Sequence, residues 1–107
     1  MLFLFQAGTE LVTDGVLHRL TALLNTPRGV RAAEIIAEMA KSEDNRIVFI
    51  QQEVIPPLVA LVHNSTPVVL RQACRALGNI CFESQTGRQI VLNEGGIAAL
   101  VSRLEEV

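Results

Sequence analysis

The sequence contains no tryptophan, no tyrosine and only four phenylalanines in 107 residues. A core built on large aromatic plates is excluded, and packing falls to small and aliphatic side chains, as in helices that approach one another closely. A basic excess is also missing. Nine Lys and Arg stand against eleven Asp and Glu, a formal charge of -2, without the basic stripe that marks a nucleic-acid footprint. Cysteine is scarce, with Cys74 and Cys81 seven residues apart on one predicted helix. A rise of about 1.5 Å per residue separates them by about 10 Å, beyond the roughly 7 Å that a disulfide spans. Both are read as reduced, buried small hydrophobes, and the chain as intracellular and cytosolic. No apolar run is long enough to cross a bilayer. Met1-Leu-Phe-Leu-Phe5 is short and has no basic leader, so it reads as the end of a helix rather than a signal peptide.

Half of the residues are hydrophobic, and their spacing is helical throughout. The stretch that organises the chain is 68–84, VVLRQACRALGNICFES. Leu70, Ala73, Cys74, Leu77, Ile80 and Cys81 recur at three and four residues and form one buried stripe. Arg71, Arg75 and Asn79 stand four apart in a polar row on another face. A buried stripe beside an ordered polar row suggests a helix whose free face touches a partner.

The remaining segments also read as helices. One is expected at about 13–25, ended by Thr26-Pro27, and a second at 29–42, GVRAAEIIAEMAKS. Ser42 or Asp44 is the expected cap of a short helix through Arg46 to Gln52. The proline pair Pro56-Pro57 opens another helix, where proline is tolerated. After the organising helix come a short helix to Asn93, a Gly95-Gly96 turn and a last helix over 97–104.

Several of these segments are copies of one another. A shift of 42 lays Arg46 on Arg88, Ile55 on Ile97 and Leu58 on Leu100. A shift of 41 lays Ala32, Ala33, Ile36, Met39 and Ala40 on Ala73, Cys74, Leu77, Ile80 and Cys81. A period of about 40 with three helices per copy is the range of armadillo and HEAT arrays, in which each copy buries its stripe only against its neighbours. The predicted division is a partial repeat at 1–42, a full repeat at 43–84 and a partial repeat at 85–107.

The third helix, ending RALGNIC, is similar to the armadillo pattern, whose third helix often ends in a Trp-Ala-Leu-Ser-Asn-Leu-Ala type of string. The resemblance implies an all-α, right-handed superhelical solenoid of about two and a half repeats. It puts Asn79 at the position that lines a concave groove and bonds the backbone of extended peptides. Arg75 stands where that string has Trp, and Glu34 and Glu38 fill the same two positions one copy earlier. Both departures argue against an importin-like peptide clamp.

At a finer level IIAEMAK (35–41), IPPLVALV (55–62) and RALGNICFESQTGRQIVLNEGG (75–96) resemble the amino-terminal armadillo repeats of the GDP dissociation stimulators of small GTPases. That likeness covers roughly 14–104 and implies a longer solenoid of which this chain is a piece. It also implies binding of Rho- and Rap-type GTPases with basic, prenylated tails, promotion of nucleotide release, and no cofactor or catalytic residues.

The candidate binding surface is therefore the polar row Arg71, Arg75 and Asn79 beside Glu34 and Glu38. Carboxylates there would draw in a basic tail while Asn79 takes up backbone. Alternatively, Glu34 or Glu38 pairs with Arg75 between copies as a plain surface contact. His18 and His63 have no ligand-spaced partners, and Ser65, Ser84 and Ser102 have no base in a recognisable motif. Gly78, inside the organising helix, suggests close approach of a neighbouring helix or a ligand. Open repeat ends predict self-association or marginal stability.

Overall fold

Seven helices run through the described residues: α1 Asp14–Leu23, α2 Gly29–Met39, α3 Glu43–Gln51, α4 Ile55–Asn64, α5 Pro67–Ile80, α6 Gln85–Asn93 and α7 Gly96–Glu105. The computed structural model describes residues 14–64 and 66–106. The helix expected before Gly8 lies outside them. Among the described residues there is no strand, and the element order is that of the predicted copies. No helix among them is long and apolar enough to cross a membrane.

Proline and glycine punctuate the helices as their backbone chemistry requires. Pro56 and Pro57 occupy the first turn of α4, and Pro67 opens α5 after an extended Thr66. Amide donors at those positions have no partner within the helix, so proline sacrifices nothing there. Between α6 and α7, Gly95 takes a left-handed φ of 76° that side chains disfavour. Gly96 is fixed by space instead, because a Cβ there would lie 3.0 Å from the carbonyl oxygen of Val91 and 2.6 Å from its Cγ1.

Two local expectations are corrected. The cap of α3 is not made by a side chain: Ser42 sits at the N-cap in an extended conformation without a hydroxyl bond to the helix, and Asp44 lies within the first turn. Glu43 and Asp44 support that helix end by charge, facing its positive dipole. The organising helix stops at Ile80 rather than running on to Ser84. The chain turns through Glu83 at φ 50°, and the Ser84 amide bonds back to the Cys81 carbonyl at 3.1 Å. Glu53 makes the same left-handed step, at φ 59°, before α4.

The most extensive pairing is α2 along α5, with α4 packed on both α5 and α7. Alanine makes the α2–α5 seam possible: Ala32, Ala33, Ala37, Ala40, Ala73 and Ala76 are all at most 2% exposed. Their small side chains let two helix backbones come close, while Ile36 and Ile80 fill the remaining space. Leu58, Val62, Val54 and Ile55 extend the core, and Phe49 supplies its one buried aromatic among the described residues. The result is an all-α stack, flat at 38 × 31 × 19 Å.

Candidate protein-binding face

The seam between α2 and α5 also carries the polar row. Because Ala73, Ala76, Leu77 and Ile80 turn the apolar side of α5 inward, Arg71, Arg75 and Asn79 fall on a side that borders α2. Arg75 is part-buried, and its Nη2 donates to Glu38 Oε1 across the seam. The other carboxylate oxygen, Glu38 Oε2, lies 3.0 Å from Lys41 Nζ. The hydrogen bond from Lys41, followed by that from Arg75, holds the Glu38 carboxyl below its ordinary range, although burial pulls the other way. Arg75 is steadied further by a 3.4 Å bond from its Nη1 to Gln72 Oε1 on its own helix.

Asn79 makes the second bridge. Its Nδ2 donates to the carbonyl oxygen of Ala37 at 2.8 Å, so one side-chain donor reaches backbone on the neighbouring helix. Glu34 is not brought to Arg75. It sits one turn earlier on α2, with Oε1 3.1 Å from Arg31 Nη1 in an ion pair but without a directed hydrogen bond to that oxygen. Arg71 is exposed at the amino-terminal end of the row. Glu38, Arg75 and Asn79 thus meet across the α2–α5 seam, while Glu34 sits one turn earlier on α2 and Arg71 lies exposed at the end of the row.

Sequence reasoning missed the groups that frame this face. Arg46 projects from α3 and donates through Nη1 to the carbonyls of Ala40 at 3.0 Å and Lys41 at 3.1 Å, closing the carboxyl end of α2. Its guanidinium also stands 5.4 Å from the ring centroid of Phe82, which follows α5. Arg88 repeats the arrangement more weakly, donating to Cys81 at 3.4 Å. The 42-residue shift had already placed Arg46 on Arg88, but pattern alone assigned them no partner. Asn45, which the sequence pattern did not single out, is fully buried, with its Nδ2 donating to the carbonyl of Met39 at 3.1 Å.

His18 and His63 are exposed, and among the described residues no group of His, Cys, Asp or Glu could hold a metal. Gly78 does not meet the expected close neighbour: a Cβ there would find nothing within 4 Å.

A family model of the Armadillo/beta-catenin-like repeat matches residues 42–82, which takes in α3, α4 and α5. This is an armadillo-repeat chain. Across 92% of its length it is 38% identical to Rap1 GTPase-GDP dissociation stimulator 1-B of Xenopus laevis. Over 69% of its length it is 33% identical to the GTPase-GDP dissociation stimulator vimar of Drosophila melanogaster. Importin subunit alpha-1b of Oryza sativa subsp. japonica is 31% identical over 91% of the chain. The armadillo chain spans only 17%, 12% and 19% of the lengths of these three proteins. No solved structure matches it. The resemblance read from RALGNIC and the segments around it is therefore to real relatives, and it extends through nearly the whole chain.

Proposed function

We propose that this armadillo chain is a protein-binding module that regulates small GTPases by stimulating GDP dissociation and chaperoning clients with basic, prenylated tails. The observation that carries this reading is the 38% identity, over 92% of the chain, to a protein named for stimulating GDP dissociation from the Rap1 GTPase. Glu34, Glu38, Arg71, Arg75 and Asn79 form the client-facing row, on the concave side of a stack divided at 1–42, 43–84 and 85–107. The site of action is the cytosol.

On this reading the chain acts by recognition, and no chemistry is assigned to a residue of its own. Exchange would follow from binding alone, the GTPase being held in a form that grips nucleotide less tightly. Glu38 already holds two cations, Lys41 and Arg75. A lysine-rich tail would therefore exchange one cation for another at this carboxylate, which keeps the contact reversible and sensitive to salt. Asn79 uses its amide donor on Ala37, leaving its carbonyl oxygen as the acceptor for an incoming backbone N–H.

A second reading, a scaffold for extended peptides without effect on nucleotide, is favoured by the 31% identity to an importin alpha subunit. Release of fluorescent GDP from Rho- and Rap-type GTPases, with and without the chain, separates the two, alongside binding of the same GTPases and of their isolated tails. Accelerated release supports the stimulator. Tail binding at unchanged release supports the scaffold, and neither binding nor release from folded protein removes both.

A further inference from the structure

A cleft of about 130 Å³ opens between α3 and the turn that joins α5 to α6, lined chiefly by Glu43, Arg46, Ile47, Ile50, Phe82 and Glu83. The α3 residues stand at intervals of three and four and so share one face of that helix. Phe82 and Glu83 close the cleft from the other side, Glu83 in its left-handed turn. There is room for several water molecules, which is the scale of one long side chain and not of a helix.

The repeat itself does not call for these residues. A shift of 42 lays Glu43 on Gln85 and Ile47 on Gln89, and a shift of 41 lays Lys41 on Phe82 and Ser42 on Glu83. The neighbouring copies fill the same edge with neutral polar groups and a lysine. The scaffold therefore needs neither the exposed hydrophobes nor the carboxylates. Nor is the edge open for want of a neighbouring copy. Ile47 is 49% exposed with α6 following it, and Gln89 is exposed with α3 before it. Phe82 is 58% exposed with α2 and α3 before it, and Lys41 is exposed with α5 after it.

Charge selects the occupant. Glu43 and Glu83 are exposed, and neither carboxylate pairs with a cation among the described residues. Arg46, which shares the cleft, is already committed: its guanidinium holds the Ala40 and Lys41 carbonyls and stands over the Phe82 ring. The rim is left with surplus negative charge beside the apolar surface of Ile47, Ile50 and Phe82. An arginine matches both. Its stem lies on apolar surface, and its planar guanidinium bonds carboxylates in pairs and stacks on aromatic rings, which a lysine ammonium does not do.

We propose that this cleft takes a single arginine side chain from the surface of a partner protein. None of its residues belongs to the polar row of α2 and α5, and the proposal stands whether or not the GTPase reading does. Nα-acetyl-arginine amide, added to the isotope-labelled 107-residue chain, should move the NMR amide signals of residues 43–50 and 82–84 and reach saturation. The lysine analogue should bind about twofold or more weakly. The citrulline analogue, which keeps the shape without the charge, should leave these signals in place. Glu43→Gln and Glu83→Gln should each weaken arginine binding about two- to fivefold, whereas Glu53→Gln, the same change at the other left-handed turn, should not. Ile47→Gln and Phe82→Lys, which copy the neighbouring repeats, should abolish binding in chains that circular dichroism shows to be folded. Shifts that never saturate, or that spread over every acidic side chain, overturn the proposal. So does equal binding of lysine or citrulline, or binding indifferent to Glu43→Gln and Glu83→Gln together. Arginine collecting at Glu34 and Glu38 instead would assign the cation to the polar row and overturn it equally.

Discussion

The side-chain amide of Asn79 donates to the main-chain carbonyl of Ala37, 42 residues earlier, at 2.8 Å. One hydrogen bond thereby joins two helices that occupy the same position in successive copies. Replacing Asn79 by alanine should cost about 1 kcal/mol of unfolding free energy. Asn79→Asp should cost more, because it removes the donor and turns a carboxylate toward a carbonyl oxygen. Urea titrations of the three proteins would rank them, and equal midpoints for wild type and Asn79→Ala would show the bond to be energetically idle.

Glu38 gives the seam a pH dependence. Lys41 first and Arg75 second hold its folded-state carboxyl below the ordinary value. A carboxyl depressed by folding contributes in full above its unfolded pKa of about 4.3, and the contribution drains away as pH falls through the folded value. Glu38→Gln should therefore be less stable than wild type at neutral pH and should approach it in acid below about pH 4. The difference at neutral pH should be at most about 1 kcal/mol, since Lys41 is largely exposed. Thermal melts across this range provide the comparison; parallel curves would mean that Glu38 gains nothing from its two cations.

Two glycines should respond to alanine with opposite signs. A Cβ on Gly29 would fall 2.2 Å from the carbonyl oxygen of Leu24, and backbone must shift to relieve the clash. Gly78 sits within α5 with open space around it, and alanine is the better helix former by about 1 kcal/mol. Gly29→Ala should lower the melting temperature and Gly78→Ala should raise it, both read on dilute protein. A fall for Gly78→Ala would reveal a neighbour at that position.

Arg46 combines two roles, bonding the last carbonyls of α2 and standing over the Phe82 ring. Arg46→Lys keeps the charge but cannot present the planar fork that reaches two carbonyls and an aromatic face together. It should recover less than half of the stability lost in Arg46→Ala, a loss of about 1–2 kcal/mol. Full recovery by lysine, measured by denaturant unfolding, would reduce the residue to a point charge.

The architecture was legible because three separate signals agreed. The Leu70-to-Cys81 stripe set a helix, the prolines set helix starts, and shifts of 41 and 42 residues showed that helices recur in order. The ends of helices were less legible. Glu53 and Glu83 turn the chain in a left-handed conformation without a glycine to announce it, so α5 looked longer than it is. Within the polar row, helical spacing correctly placed Arg71, Arg75 and Asn79 on one helix. It could not say that Glu38 rather than Glu34 meets Arg75, because that choice depends on how far α2 slides along α5. Asn45 and Arg46 escaped notice for a related reason: their partners are carbonyl oxygens, which every residue has and no sequence displays.

That last property has an evolutionary consequence. On the α2 side of the seam, Ala37, Met39, Ala40 and Lys41 offer main-chain oxygens to Asn79, Asn45 and Arg46. Mutation can alter those four side chains without deleting a single acceptor. Each copy therefore presents its successor with a connector that does not drift with sequence. Copies could be duplicated, exchanged or recombined so long as the incoming one brought its own asparagines and arginine.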